Sequence, residues 1–369
     1  MQKCAGDNKE KTHEKNPKRH KIKNMENKNT KKKKRNAILA LVVALCLIAG
    51  FGFGMHLLEQ RGSAEDEQIG DTGEWGDEGI ETHIYLGDHD FHYTDDIETY
   101  LLVGTDAGTV TEKTRKGFDG EMADFLLLVV INNTTQKYAF IQLDRDTITE
   151  VQVLDENGET TGAVKEQLCT AHWYGQNADQ RNANTVTAVS DLFGYLPIDG
   201  YFVLNMQDIS TVNHAIGGVV IDFNQDLTAI DPAFKEGESV LLSDKQAEEF
   251  VRARMSVGDG TNVERMARQR QYMEAVYSLL VGQLRENPAY LDDLYEELHK
   301  NIESDQSAKT VSTIANKISQ YESLGILRIE GESREADTLD DGELHAEFLM
   351  DTESQIKTVQ KIITLAESE

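Results

Sequence analysis

The chain has 369 residues, a formal net charge of -28, 39% hydrophobic residues and three cysteines. Cysteines at only positions 4, 46 and 169 exclude a disulfide framework and any CxxC zinc pattern. Residues 1–36 carry 14 Lys and Arg against 4 Asp and Glu, and the remainder carries 23 against 61, an asymmetry that suggests a membrane or nucleic-acid contact at one end; the expectation for the whole chain is a membrane and no nucleic acid.

The first element in chain order is "AILALVVALCLIAGFGFGMHLL", Ala37 to Leu58, which directly follows "KKKKR". About 20 apolar residues cross a bilayer core, and positive flanks stay on the cytoplasmic side. No A-x-A-like cleavage site follows, and Leu45 is bulky for the position before a lipoprotein Cys46. The expectation is an uncleaved transmembrane helix over 37–58, with a basic cytoplasmic tail at 1–36 and the acidic body outside. Residues 59–95 are rich in Asp, Glu and Gly and read as an acidic flexible linker. At its end "HIYLGDHDFHY" has the pattern of a short strand or hairpin. Its histidines, His83, His89 and His92, with Asp88 and Asp90, match no metal-ligand spacing and read as solvated surface.

Regular patterning begins at Glu98. "TYLLVG" is a strand running into Gly104-Thr105-Asp106, "DFLLLVVIN" is an apolar run suited to a strand buried on both faces, and "YAFIQL" is a third strand. "TITEVQVLDENGETTG" predicts a hairpin turning at Asn157-Gly158. "VKEQLCTAHWYG" and "ANTVTAVSDLFG" have helical spacing, "GYFVLN" reads as a strand, and "MQDISTVNHAIGG" as a helix stopped by two glycines. "VVIDF" is another strand. Ser243-Asp-Lys-Gln246 has capping-box form and opens the helix "DKQAEEFVRA". A long amphipathic helix follows from Asn262, then helices at about 287–320, strands at "GILRIEG" and "HAEFLM", and a last helix from Thr352. Strands alternating with helices predict one α/β domain with a buried central sheet.

Two constellations carry chemistry. "FVRARMSVGDGTNVERMARQRQ" holds five arginines and no lysine. Arg265, Arg268 and Gln269 share a helix face at i, i+3 and i+4. Guanidinium forks grip phosphate or carboxylate in bidentate fashion, and a pyrophosphate would relieve their mutual repulsion. A basic face paired with surrounding acids explains the arginines as well. The second set is Asp106 at the end of one strand, Asp124 at the start of the next, and Asp144-Arg145-Asp146 after the third. Ligands of open α/β sheets sit outside the carboxyl ends of strands, and Mg²⁺ takes one or two carboxylates together with phosphate oxygens and waters. Cys169 with His172 three residues on suggests a nucleophile, but a small buried thiol is the preferred reading.

The motifs "LLVGTD", "ADFLLLVVIN", "IQLDRDT", "GYFVLNMQDISTVNHAIGGV", "LSDKQAEEFVRAR" and "RMARQ", in this order over about residues 98 to 280, resemble the LytR-CpsA-Psr family. The resemblance implies a bacterial membrane protein with a mixed central sheet flanked by helices. It implies transfer of an anionic glycopolymer, such as teichoic acid or capsular polysaccharide, from a polyprenyl pyrophosphate carrier to peptidoglycan. On that resemblance Asp106 and Asp124 would hold Mg²⁺, Arg145, Arg252, Arg254, Arg265 and Gln269 would bind the pyrophosphate, and Asp124, Arg145 and Asp146 would be catalytic. Either Asp124 or Asp146 would activate the acceptor hydroxyl. The helices around "AVSDLFGYL" and "AVYSLLVGQL" would line a lipid groove or belong to the core. The chain departs from the family's pattern at Met122, Asp144, Thr149 and Asn262, where members carry Arg, Pro, Arg and Asp. The expected division is a catalytic core at 96–282 and a C-terminal α/β extension at 283–369.

Overall fold

The computed structural model describes residues 82–106, 121–253, 262–286, 300–307, 320–338 and 342–363, with isolated positions (298, 310, 313–314 and 317–318) between the last segments. The span expected at 37–58 lies outside them, and among the described residues no helix is long and apolar enough to cross a membrane.

The hairpin at the end of the acidic stretch is formed by β1 (Thr82–Leu86) and β2 (His89–Tyr93), in antiparallel register. Ile84, Leu86 and Tyr93 are buried in the core. Folded structure is therefore present inside the stretch read as linker, at residues 82–95. The hairpin's outer face carries the exposed His83–Asp90 pair at 2.8 Å, and no group of three metal-ligating side chains occurs among the described residues.

Among the described residues, six strands make the central sheet, in the order β11 (Ile302–Ser304), β8 (Gly200–Asn205), β3 (Ile97–Asp106), β4 (Met122–Asn132), β5 (Lys137–Leu143), β12 (Glu322–Arg328). The β3–β8 and β5–β12 pairs are parallel and the other three antiparallel, so the sheet is mixed. The apolar run of β4 occupies the centre, with Leu126 to Ile131 all at most 1% exposed. Burial from both faces removes the polar/apolar alternation a one-sided strand would show. Both edge strands come from beyond residue 282. Two further strands, β13 (Gly331–Ala336) and β14 (His345–Met350), form a hairpin that touches the main body through the Thr147–Phe348 bridge.

The two faces of the sheet are packed differently. One bears Leu101, Val103, Leu126, Leu128 and Ile141 and is covered by the β1–β2 hairpin, α1 (Ala178–Leu192) and α5 (Thr352–Ile363). The other bears Leu102, Leu127, Val129 and Phe140. Beside it a second cluster packs α2 (Ile209–Ala215), α3 (Asp244–Arg252) and α4 (Asn262–Glu286) with the small pair β9 (Val220–Asp222) and β10 (Ser239–Leu241). The capping box forms as the spacing predicts: Ser243 accepts from the Gln246 backbone, and the Gln246 side chain from Ser243. Ser243→Ala is expected to destabilise the fold by about 1 kcal/mol, read as a lower denaturant midpoint.

Two predictions need correction. The stretch at about 287–320, expected as helices, contains β11 (Ile302–Ser304), which pairing with Phe202–Leu204 of β8 holds extended. "VKEQLCTAHWYG" is not one helix. Val164 to Gln167 complete β7 (Thr160–Gln167), paired with β6 (Ile148–Leu154), and a 3₁₀ turn follows from Leu168 to Trp173. Cross-strand pairing of Val164 with Val151 outweighs the local helical spacing.

Candidate active site

The carboxyl ends of β3 and β5 and the start of β4 converge where α3 ends and α4 begins. At the β3–β4 crossing Gly104 pairs with Phe125 but Thr105 pairs with Ala123, which leaves Asp124 as the extra residue of a β-bulge. Bulges re-aim side chains beside functional sites. Here Asp124 and Phe125 both serve the α4 side, whereas Ala123 and Leu126 belong to the opposite core.

Asp124 is the hub. Arg145 Nη1 donates to its Oδ1, and Arg265 Nη1 donates to its Oδ2 at 3.2 Å. Asp106 forms a second pair, accepting from Arg252 Nη2 at 2.5 Å, while Arg252 Nη1 binds Glu248, one helical turn back, at 2.5 Å. Burial works against the Arg252 charge, and the hydrogen bonds it donates to Asp106 and Glu248 overcome it, so its pKa is raised. Arg145 is buried. Burial opposes its charge as well, but its acidic neighbours raise its pKa above the usual arginine value. Its other nitrogens face Asp146 at 3.4 Å, Cys169 Sγ at 2.8 Å and Met122 Sδ at 2.7 Å.

Asp106, Asp124, Glu248, Glu249, Arg252 and Arg265 line a polar cleft of about 460 Å³. An apolar cavity of about 80 Å³ adjoins it, walled by residues that include Gly104, Phe125, Val251, Gln269, Tyr272 and Val276. Four elements each serve both spaces. β3 gives Asp106 to the cleft and Gly104 to the cavity; β4 gives Asp124 and Phe125; α3 gives Arg252 and Val251; α4 gives Arg265 and Gln269. Gly104 keeps the cavity open, because a Cβ there would lie 2.9 Å from the Phe125 Cβ.

The expected site residues divide by position. Asp106, Asp124, Arg252 and Arg265 meet in the cleft, with Arg145 directly behind Asp124. Asp146 is 3% exposed, accepts from Gln167 Nε2 at 3.1 Å and lies against Arg145 rather than along the cleft. Gln269 is in the apolar wall, its Nε2 3.5 Å from the Val251 carbonyl and its Oε1 unpartnered among the described residues. Arg254 lies outside the described residues. Arg268 is structural: it donates to the carbonyls of Phe250 and Ala253 and so closes the end of α3. Of the two segments expected around a lipid groove, "AVYSLLVGQL" contributes Val276 to the cavity. Ala188, Val189, Phe193 and Leu196 of "AVSDLFGYL" pack into the core on the other face of the sheet.

Two of the unusual positions turn out to be partners. Asn262 Nδ2 donates to Asp144 Oδ1 at 2.6 Å, and Asn262 Oδ1 accepts from Arg265 Nε at 3.0 Å and Nη2 at 2.5 Å. Burial, with Asp146 nearby, raises the Asp144 pKa. The chain Asp144–Asn262–Arg265–Asp124 fixes the Arg265 fork. Asn262→Ala is expected to lower turnover roughly 10–100-fold with little change in melting temperature, since Arg265 keeps Asp124; unchanged kcat would contradict that role. Glu248 and Glu249 are cleft residues that the motif reading missed, although Glu248 four before Arg252 was a visible helical ion pair.

Cys169 is not a nucleophile at neutral pH. Burial pushes its thiol up to about 11 despite Arg145, and His172 turns to Thr185 at 3.0 Å and Glu121 at 3.8 Å. The folded state keeps this proton between the usual 9.0 and about 11, so stability falls as pH rises across that window. Iodoacetamide at pH 7.5 should leave Cys169 unmodified in the native chain, as peptide mapping would show.

The residues present suit Mg²⁺ of one kind. Asp106 and Asp124 offer hard oxygens in a cleft with three basic neighbours, and no set of three protein ligands exists among the described residues. A Mg²⁺ ion held by these two carboxylates would complete its shell with substrate phosphates and waters.

The sequence profile of the LytR_cpsA_psr family matches residues 66–361. The polyisoprenyl-teichoic acid–peptidoglycan teichoic acid transferase TagU of Halalkalibacterium halodurans is 24% identical over 277 residues, covering 74% of this chain and 82% of that protein. Protein gbs0355 from Streptococcus agalactiae is 21% identical with a TM-score of 0.55, over 72% of this chain and 86% of that one. TagV from B. subtilis is 19% identical with a TM-score of 0.54, over 73% and 97%. The two structures show a shared fold.

Proposed function

Because this chain belongs to the LytR_cpsA_psr family and is accordingly an enzyme of the transferase class, we propose that it moves a teichoic acid-like anionic glycopolymer from a polyprenyl pyrophosphate carrier to peptidoglycan. It would do so as a single-pass protein of the bacterial cytoplasmic membrane, N-terminus inside and catalytic domain outside. The observation that carries this reading is the pair of adjoining spaces walled by the same four elements, one acidic and arginine-lined, the other apolar. A lipid pyrophosphate has that division within one molecule.

In this reading Arg252 and Arg265 grip the pyrophosphate from the two sides of the cleft, and Arg145 supports it through Asp124. Their attachments to Glu248, Asn262 and Asp146 hold the forks in place before substrate arrives, so charge that develops in the transition state meets donors that need not reorganise. An acceptor hydroxyl of peptidoglycan forms a bond to the phosphorus bearing the glycan; the bond to the bridging oxygen breaks, and polyprenyl phosphate leaves. Of the two carboxylates expected to take the hydroxyl's proton, only Asp124 lines the cleft. Mg²⁺ held by Asp106 and Asp124 would supply neutralising charge to the phosphate oxygens.

The test is to give the full chain in detergent labelled lipid-linked glycan, peptidoglycan and Mg²⁺. Label in the wall fraction, abolished by EDTA, is the expected result. Soluble glycan phosphate would mean hydrolysis, and retention of lipid-linked label with no product would mean a binding protein.

A further inference from the structure

Beside the cleft, a second group of hydrogen-bond donors converges, with Glu274 the one acid that acts on it and no carboxylate ion-paired to it among the described residues. Gln142 lies on β5 two residues before Asp144, and its side chain is 3% exposed. Its Oε1 accepts from Arg270 Nη1 at 2.5 Å, and its Nε2 has no partner among the described residues. Arg328, the last residue of β12, is the in-register parallel neighbour of Gln142. In-register neighbours on parallel strands project to the same face, so Arg328 and Arg270 flank one amide.

The arrangement is costly for Arg270, while Arg328 is exposed. Burial, then repulsion from Arg328, pulls the Arg270 pKa down to about 10, with Glu274 alone opposing. Neither arginine makes an ion pair with a carboxylate among the described residues, in a chain whose acids outnumber its bases by 65 to 37. Removing charge from water is unfavourable unless a counter-charge is supplied. The three groups present donors only: two guanidinium forks and an amide N–H. They sit at the carboxyl ends of the parallel pair β5–β12, the sheet end where α/β folds bind ligands. Asp144, two residues beyond Gln142 on the chain, is tied through Asn262 to Arg265, while none of the three donors lines the cleft.

We propose that Gln142, Arg270 and Arg328 form a second oxyanion site, which takes a phosphate group of the substrate other than the pyrophosphate. This rests on the transferase reading above and names what the polymer portion contributes. A teichoic acid carries a phosphodiester in each repeat, so a chain leaving the cleft presents a further phosphate to these donors, whereas a neutral glycan presents none. The site selects for polyanionic chains by charge rather than by sugar identity.

Inorganic phosphate is the first probe, titrated calorimetrically into the full chain in detergent. Two phosphates per chain are expected for the wild type and one for Arg328→Gln, a substitution at an exposed strand end that leaves the cleft intact. Arg270→Gln should give the same loss. The second measurement is transfer. KM for a carrier-linked chain with several phosphodiesters should rise about tenfold or more in Arg328→Gln, the loss of a charge-assisted hydrogen bond. KM for a carrier-linked sugar with no further phosphate should not move, and kcat should hold for both. Unchanged phosphate stoichiometry in both variants, or an equal KM rise for the two substrates, would overturn the site. A wild type without transfer activity would overturn the transferase reading instead, and the phosphate titration would still decide whether the oxyanion site exists.

Discussion

Arg265→Ala is expected to reduce transfer by roughly 10²–10³-fold, the range for removing one preorganised donor from a charge-stabilising site. Arg265 is 3% exposed, lines the cleft and is held at three of its nitrogens by Asp124 and Asn262. Alanine removes the fork but leaves Asp124 paired with Arg145, so the fold should survive and the loss should appear in kcat. Arg265→Lys keeps the charge without the planar fork and should recover only part of the activity. Steady-state rates of both variants, with a thermal melt as control, check this. A lysine variant as active as the wild type would remove Arg265 from the substrate-gripping role.

The largest effect on stability is expected at Asp124. Its side chain is 10% exposed and neutralises two guanidiniums, Arg145 and Arg265, that are 11% and 4% exposed. Removing one partner of a buried ion pair typically costs about 3–5 kcal/mol, because the remaining charge has lost its compensation. Asp124→Ala should therefore shift the chemical unfolding midpoint strongly and abolish transfer. Asp106→Ala offers the contrast: its pair with Arg252 is 31% and 30% exposed and Arg252 retains Glu248, so solvent absorbs much of that loss. Equal destabilisation by the two changes would mean that Asp124 is not the electrostatic hub of the site.

Local features were legible in the chain. The apolar run of β4, the Asn157-Gly158 turn and the capping box at Ser243 are encoded within a few residues, and each forms as read. Features set by tertiary pairing were not. The bulge that turns Asp124 toward the cleft depends on β3 meeting β4 with one residue to spare, which no alternation pattern reveals. Asn262 and Asp144 are 118 residues apart, and their contact is invisible in a single sequence. The arginine cluster shows both limits. Its density pointed to an anion, but the helix sends its members in different directions: Arg265 to the cleft, Arg268 to the end of α3, Arg270 to Gln142. Gln269, placed by motif among the phosphate ligands, faces the apolar cavity.

The provenance of the two outer strands bears on how this molecule comes into being. β5 ends at Leu143, and its parallel partner β12 begins only at Glu322. At about 5–20 residues per second, synthesis separates the two by roughly 10–40 s. For that interval the outer row of amide and carbonyl groups on β5 has no native partner, and an unpaired edge is a template for association with other chains. Shortening the gene from its 3′ end would make this transient condition permanent, so a minimal fragment ending near residue 282 should collect in inclusion bodies, whereas co-expression of the missing segment as a separate peptide offers a route back to solubility.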